Sequence, residues 1–182
     1  MLEAIQSLDG AALLAIQSIR LDFLNPVVEL FTHLGDTGFI WLAISLILLL
    51  NKKTRKAGFF SLLAMLFGMI CTNVVLKHLV GRTRPWLVVE GLTALVNEPD
   101  PNSFPSGHTC AAFAAAVVWF KLMPHKWEKI TALVMAVCMG LSRLYVGVHF
   151  PTDVIAGAVV GSVCAMVSLK LAQYYTWKRG AQ

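Results

Sequence analysis

Apolar residues run along this chain in long stretches, and polar residues gather in short clusters between them. A helix that crosses a bilayer needs about 20 mostly apolar residues. Residues 57–76 meet that measure, as do 154–172, which carry Lys170 near their end, and 130–150, apart from Ser142 and Arg143 toward their far end. Residues 107–123 fall slightly short, and 37–50 are shorter still, so this helix is expected to begin a turn earlier, near His33. The pattern predicts an all-α fold: a polytopic membrane helical bundle of five transmembrane helices, six if the N-terminal stretch also crosses.

Residues 1–35 follow a different rhythm. Leu2, Ile5, Leu8, Ala12, Ile16 and Ile19 recur at steps of three or four, opposite Gln6, Gly10, Gln17 and Arg20. That spacing predicts an amphipathic helix lying on the membrane surface rather than crossing it. Asn25-Pro26 ends it, and a second such piece runs to Leu34. The expected organisation is one domain over residues 1–182, with an interfacial segment at 1–35 and a transmembrane core at 36–177.

Composition supports a membrane setting. Hydrophobic residues make up 57% of the 182 residues and charged residues 14%, against roughly 25% charged in soluble domains. Mean hydropathy is +0.70. The net charge of +5 does not indicate nucleic acid, because the basic residues sit in short clusters between the apolar runs. With five spans, Lys52, Lys53, Arg55, Lys56, Lys121, Lys126, Lys129, Lys170, Lys178 and Arg179 all fall on one side, expected to be cytoplasmic by the positive-inside rule. Arg20, Lys77, Arg82, Arg84 and Arg143 fall on the other, with every acidic residue but Glu128. The start of the chain, with Glu3, Asp9 and Arg20, does not read as a cleavable signal peptide. Cys71, Cys110, Cys138 and Cys164 lie inside apolar segments without metal-type spacing and are read as small buried residues, not disulfides.

Three polar clusters carry the chemistry. The first runs from Lys77 to Arg84-Pro85, the second is Pro105-Ser106-Gly107-His108, and the third joins Ser142-Arg143 to His149 and Asp153. Alternating spans bring all of them to the extracytoplasmic side. Lys77, Arg84 and Arg143 are cations that suit a phosphate, whose oxygens match guanidinium forks. Arg143 is costly near lipid unless it faces a polar cavity. Ser106 is placed to cap a helix whose first amides, at Gly107 and His108, would form an anion site. His149 precedes Asp153 by one helical turn, so the carboxylate can fix the imidazole tautomer and leave the other nitrogen to attack.

Each of these features has an ordinary structural explanation when taken singly; their coincidence on one face is what points to a phosphate site. The remaining polar features are read as structural. Gly157 and Gly161 form a small-xxx-small pattern expected to pack inside the bundle, and Asn73 is expected to bond between helices. Glu29, His33 and Asp36 are read as a solvated or interfacial stripe, and Trp41, Trp86, Trp127 and Trp177 as interface anchors. His78 is expected to point away from Lys77, and His125 to be solvated. An anion transporter would use the same cations, but it has no need of a paired His149 and Asp153 or of His108, and no helix broken at mid-membrane is evident.

These residues resemble, in type, spacing and order, the three-part signature of the type 2 phosphatidic acid phosphatase (PAP2) superfamily. The likeness covers residues 77–153 directly, although many members have six spans and this chain looks as if it lacks the first. The resemblance implies an integral-membrane lipid phosphatase working through a phosphohistidine. In that reading His149 is the nucleophile, Asp153 orients it, and His108 protonates the leaving oxygen and then activates water. Lys77, Arg84, Arg143, Ser106 and Gly107 bind the phosphate oxygens. It also implies inhibition by vanadate and no cofactor or metal, and the sequence offers no metal-ligand cluster. Small bacterial members suggest undecaprenyl diphosphate as substrate, with phosphatidylglycerophosphate or phosphatidic acid as alternatives, in a multi-pass plasma-membrane protein. The loop at residues 86–104, which mixes leucines and valines with Glu90, Glu98 and Asp100, is expected to lie on the membrane surface and shape tail access.

Overall fold

A computed structural model describes residues 2–180, with side chains described for residues 5–174. The side chains of Leu2, Glu3, Trp177, Lys178 and Arg179, on which part of the sequence reading rests, lie outside the described residues.

The fold is all-helical, as expected. Its elements are α1 (Leu2–Ser18), α2 (Asn25–His33), a 3₁₀ turn at Asp36–Gly38, α3 (Phe39–Leu49) and α4 (Arg55–Met69). A π-helical stretch (Ile70–Leu76) carries α4 into the short α5 (Lys77–Val80). Then follow α6 (Pro85–Val88), α7 (Gly107–Leu122), α8 (Lys126–Tyr145) and α9 (Pro151–Gly180). The start signals are legible in the chain. Proline opens α6 and α9, where its missing N–H costs no hydrogen bond. Ser106 caps α7 by accepting from the Thr109 amide, and His125 and Glu128 form a capping box on α8.

Helix α7 is the central strut, packed by α4, α8 and α9. Ala112, Ala114, Ala115, Ala116 and Val118 are wholly buried along it, and such thin side chains let its neighbours approach closely. Gly157 and Gly161 of α9 press against it. A Cβ at Gly157 would stand 2.5 Å from the Ser106 carbonyl oxygen, and one at Gly161 would collide with the Cys110 carbonyl. The small-xxx-small pattern therefore serves packing within the bundle. Outward faces carry exposed Phe59, Ile155, Val159 and Met166, an apolar surface consistent with a membrane setting.

By length and composition alone, fewer than the expected five helices qualify as spans among the described residues. Arg55–Val80 (26 residues) and Pro151–Tyr174 (24 residues) are long and apolar enough to cross a membrane. Asn25–His33 with Asp36–Leu49 makes a third if that pair, bent by 49°, is one span. Helix α7 is apolar but has only 16 residues, about 24 Å at 1.5 Å per residue. Helix α8 opens with Lys126, Glu128 and Lys129 and carries Arg143 in its last turn.

The N-terminal segment also departs from a plain surface helix. Leu8 and Ile19 of α1 and its following turn are exposed, but Asp9 and Leu13 are buried, and Leu13 packs against Leu92 and Phe150. Helix α1 thus covers the loops that carry the polar clusters. The bend between α2 and α3 falls near residue 36.

Candidate active site

The polar clusters meet around one cavity of about 430 Å³, lined at its polar end by Lys77, Arg84, Glu98, Gly107, His108 and His149. Its walls continue into Leu42, Leu62, Met65, Leu66 and Met69 of α3 and α4. Asn73 lines it too, from the π-helical stretch, close beside Gly107. Asn73 therefore faces the cavity rather than bonding between helices. Such wide helical turns recur at functional sites because they re-aim side chains that a regular helix would point elsewhere.

His149 lies in the link between α8 and α9 and is 2% exposed. Arg84, also buried, places Nη1 3.1 Å from Nε2 of His149 and donates to the Val148 carbonyl at 3.0 Å. An arginine has no acceptor, so Nε2 must offer its lone pair and the ring proton must sit on Nδ1. Burial, then the positive charge of Arg84, Arg143, His108 and Lys77, pushes His149 well below the ordinary 6.5, keeping it neutral. Burial also lowers the Arg84 guanidinium from its usual value.

Asp153 stands where the spacing placed it, in the first turn of α9, but without a hydrogen bond to the ring. Its Oδ2 is 3.7 Å from Nδ1 of His149 and accepts instead from the Phe150 amide at 2.9 Å. Nδ1 is left buried without a partner. The other oxygen of Asp153 accepts from Nη1 of Arg82 at 2.7 Å, and Nη2 of Arg82 reaches Asp9 of α1 at 2.7 Å. The Arg82 guanidinium also stacks 3.9 Å over the Phe150 ring.

The cations expected to hold phosphate are occupied by acids of one loop. Glu98 accepts from Nη2 of Arg84 at 3.4 Å and from Nη2 of Arg143. Asp100 accepts from Nζ of Lys77 at 2.5 Å. Nη1 of Arg143 donates to Thr32 at 2.6 Å, while its Nε is buried and unpartnered. The loop at residues 86–104 is accordingly folded into the site through Glu98, Asp100 and the buried Leu92. Buried guanidiniums need such anionic partners, while Leu87 and Val88 at the start of the loop stay exposed.

Ser106 is fully buried, and its hydroxyl is engaged by Thr109 at 2.9 Å, so it holds the start of α7 rather than lining the cavity. Gly107, half-buried at the start of α7, does line the cavity. His108, one residue on, has Nε2 2.9 Å from Oδ1 of Asp36, whose Oδ2 meets Nδ1 of His33 at 2.8 Å. Asp36, read as part of a solvated or interfacial stripe, is thus bonded to His108 as well as to His33. Glu98, Asp36 and Arg82 are site neighbours that the sequence reading did not single out. One signal for Glu98 was available: three cations brought together in an apolar setting require a counter-charge.

This arrangement has relatives. Residues 57–177 match the PAP2 superfamily. The chain is 33% identical over 148 residues to the undecaprenyl-diphosphatase of Sulfolobus acidocaldarius, covering 81% of this chain and 70% of that protein. It is 38% identical over 171 residues to phosphatidylglycerophosphatase B of Bacillus subtilis, covering 87% and 80% respectively. The crystal structure of Aquifex aeolicus LpxE superposes with a TM-score of 0.77 at 29% identity, over 87% of this chain and 92% of that one. The chain belongs to the PAP2 superfamily and is a phosphatase of that family.

Proposed function

We propose that the protein is an integral-membrane lipid phosphatase that works through a phosphohistidine on His149, with undecaprenyl diphosphate as its best-fitting substrate. The observation that carries this reading is the shape of the cavity. Its polar end gathers Lys77, Arg84, Gly107, His108 and His149, and its wall is apolar. An amphiphile with a phosphorylated headgroup matches both ends.

In this reading the substrate phosphate displaces Glu98 and Asp100 and takes the N–H groups of Arg84, Arg143 and Lys77, with the Gly107 amide. Nε2 of His149 attacks phosphorus. The bond from phosphorus to the lipid-side oxygen breaks, and His108 gives that oxygen a proton. His108 then takes a proton from water, the water oxygen attacks phosphorus, and the P–N bond breaks. Inorganic phosphate leaves, and His149 returns neutral. Catalysis of this kind rests on positioning and on fixed donors for developing charge. Asp153 supports the Nδ1 proton once the ring carries charge, and Arg82 and Asp9 hold Asp153 in place.

The Sulfolobus relative favours the diphosphate, and the Bacillus relative favours phosphatidylglycerophosphate. We place the protein in a bacterial plasma membrane with five crossings and the site extracytoplasmic, on the strength of the one-sided basic clusters. The test is phosphate release in detergent with EDTA present, from undecaprenyl diphosphate, phosphatidylglycerophosphate and phosphatidic acid in parallel. Fastest release from the diphosphate supports the assignment, and fastest release from either monoester replaces it.

A further inference from the structure

The bend between α2 and α3 lies directly on the ring of His108. A Cβ at Gly35 would stand 2.9 Å from Cδ2 of His108 and 2.7 Å from Sδ of Met139, so a larger residue there would push on both side chains. The next residues turn sharply. Thr37 has φ 54° and Gly38 has φ 77°, and a threonine in the left-handed region is uncommon and costs energy. Gly35, Thr37 and Gly38 all line the cavity. Between them Asp36 directs one carboxylate oxygen to Nε2 of His108 at 2.9 Å and the other to Nδ1 of His33 at 2.8 Å.

We propose that Asp36 is a positioning residue for His108, fixing its ring and tautomer so that Nδ1 faces the oxygen with which the proton is exchanged. This deepens, and rests on, the reading of His108 as proton donor and acceptor. The other charged or titratable groups at that end of the cavity are Lys77, Arg84, Glu98 and His149. The two cations can only donate, and they are paired with Asp100 and Glu98. Among the described residues, Asp36 is the carboxylate bonded to His108. With Nε2–H held by Asp36, the neutral ring presents a lone pair at Nδ1 as base, and the protonated ring presents N–H there as acid. The site then has two acid–imidazole pairs on opposite sides of the phosphate, His149 beside Asp153 and His108 on Asp36. The second comes from a helix pair that precedes all the polar clusters in the chain. His33, exposed on the far side of Asp36, keeps the carboxylate turned.

Asp36→Asn, Asp36→Glu, His108→Ala, His149→Ala and the double variant Asp36→Asn with His108→Ala are compared in detergent on the fastest lipid of the panel. Vanadate-induced thermal shift serves as the check on the phosphate pocket. Asp36→Asn is expected to lower kcat about 10- to 100-fold, within the range that acid–base catalysis supplies, with KM and the vanadate shift changed less than about twofold. Asp36→Glu should recover part of the loss, and the double variant should be no slower than His108→Ala. Full kcat in Asp36→Asn, a further loss in the double variant, or a KM and vanadate response that fall together with kcat would each overturn the proposal. The reading of His108 and His149 fails separately, if either histidine variant keeps wild-type turnover.

Discussion

Arg84 holds Nη1 against Nε2 of His149 at 3.1 Å, both side chains cut off from solvent. This contact is compatible only with a neutral ring, because a protonated Nε2 would place one N–H against another. The folded protein therefore resists protonating His149 more than the unfolded chain does. In the unfolded chain the group binds a proton near its ordinary 6.5, and in the fold only at a pH well below that. The resulting stability is present in full above 6.5 and is lost as pH falls below it. Thermal unfolding in detergent at pH 7, 6 and 5 should show a falling midpoint, and His149→Asn should flatten that dependence. An equal slope in both proteins would remove His149 as its source.

Glu98 gives a second prediction. Its carboxylate bridges Arg84 and Arg143 where phosphate is expected. Removing one partner of a buried ion pair costs about 3–5 kcal/mol, because the other charge stays buried and unpaired. Glu98→Gln should therefore lower the unfolding midpoint of the ligand-free protein. Vanadate should restore more stability to the variant than to the wild type and bind it several-fold more tightly. Equal vanadate affinity in the two proteins would show that Glu98 does not compete for the anion site.

Arg82 makes the third. It ties Asp153 to Asp9, so the N-terminal helix and the site share one cation. Arg82→Ala leaves two buried carboxylates facing each other. We expect about 3–5 kcal/mol of destabilisation and a lower kcat, as Asp153 loses its fixed orientation. Asp9→Asn should cost less, since Arg82 keeps its bond to Asp153. The two variants unfolding alike would contradict this ranking.

The fourth concerns packing. Gly161 of α9 meets the Cys110 carbonyl of α7. Overpacking a well-filled core costs about 1–3 kcal/mol, and a backbone atom yields less readily than a side chain. Gly161→Val should lower the yield of monodisperse protein in detergent, whereas Val159→Ile on the exposed face of the same helix should leave it unchanged.

What the chain disclosed follows from the range of each interaction. His149 and Asp153 lie one turn apart, Ser106 caps the helix that begins beside it, and the arginines mark themselves by being costly in an apolar setting. Those residues were legible, as was the helical class. Asp36, Glu98 and Arg82 were not, because their partners lie far along the chain: Asp36 binds His108, Glu98 binds Arg143, and Arg82 binds Asp9. In sequence each looks like an ordinary charge at a helix end or in a loop. The span count was less legible for a similar reason. Apolar runs fixed where helices form, but α7 is apolar because other helices enclose it, a condition that local hydropathy does not separate from burial in lipid.

The central claim is that His149 carries the phosphoryl group. The most direct test feeds lipid labelled with ³²P in the phosphate to be transferred, quenches in alkali, where phosphohistidine survives, and looks for label on the protein. The account predicts a labelled wild-type protein, loss of the label on acidification, and none in His149→Ala. His108→Ala should retain the label longer, because the water that removes it is no longer activated. Label on the protein that survives acid, or label present in His149→Ala, would contradict the account.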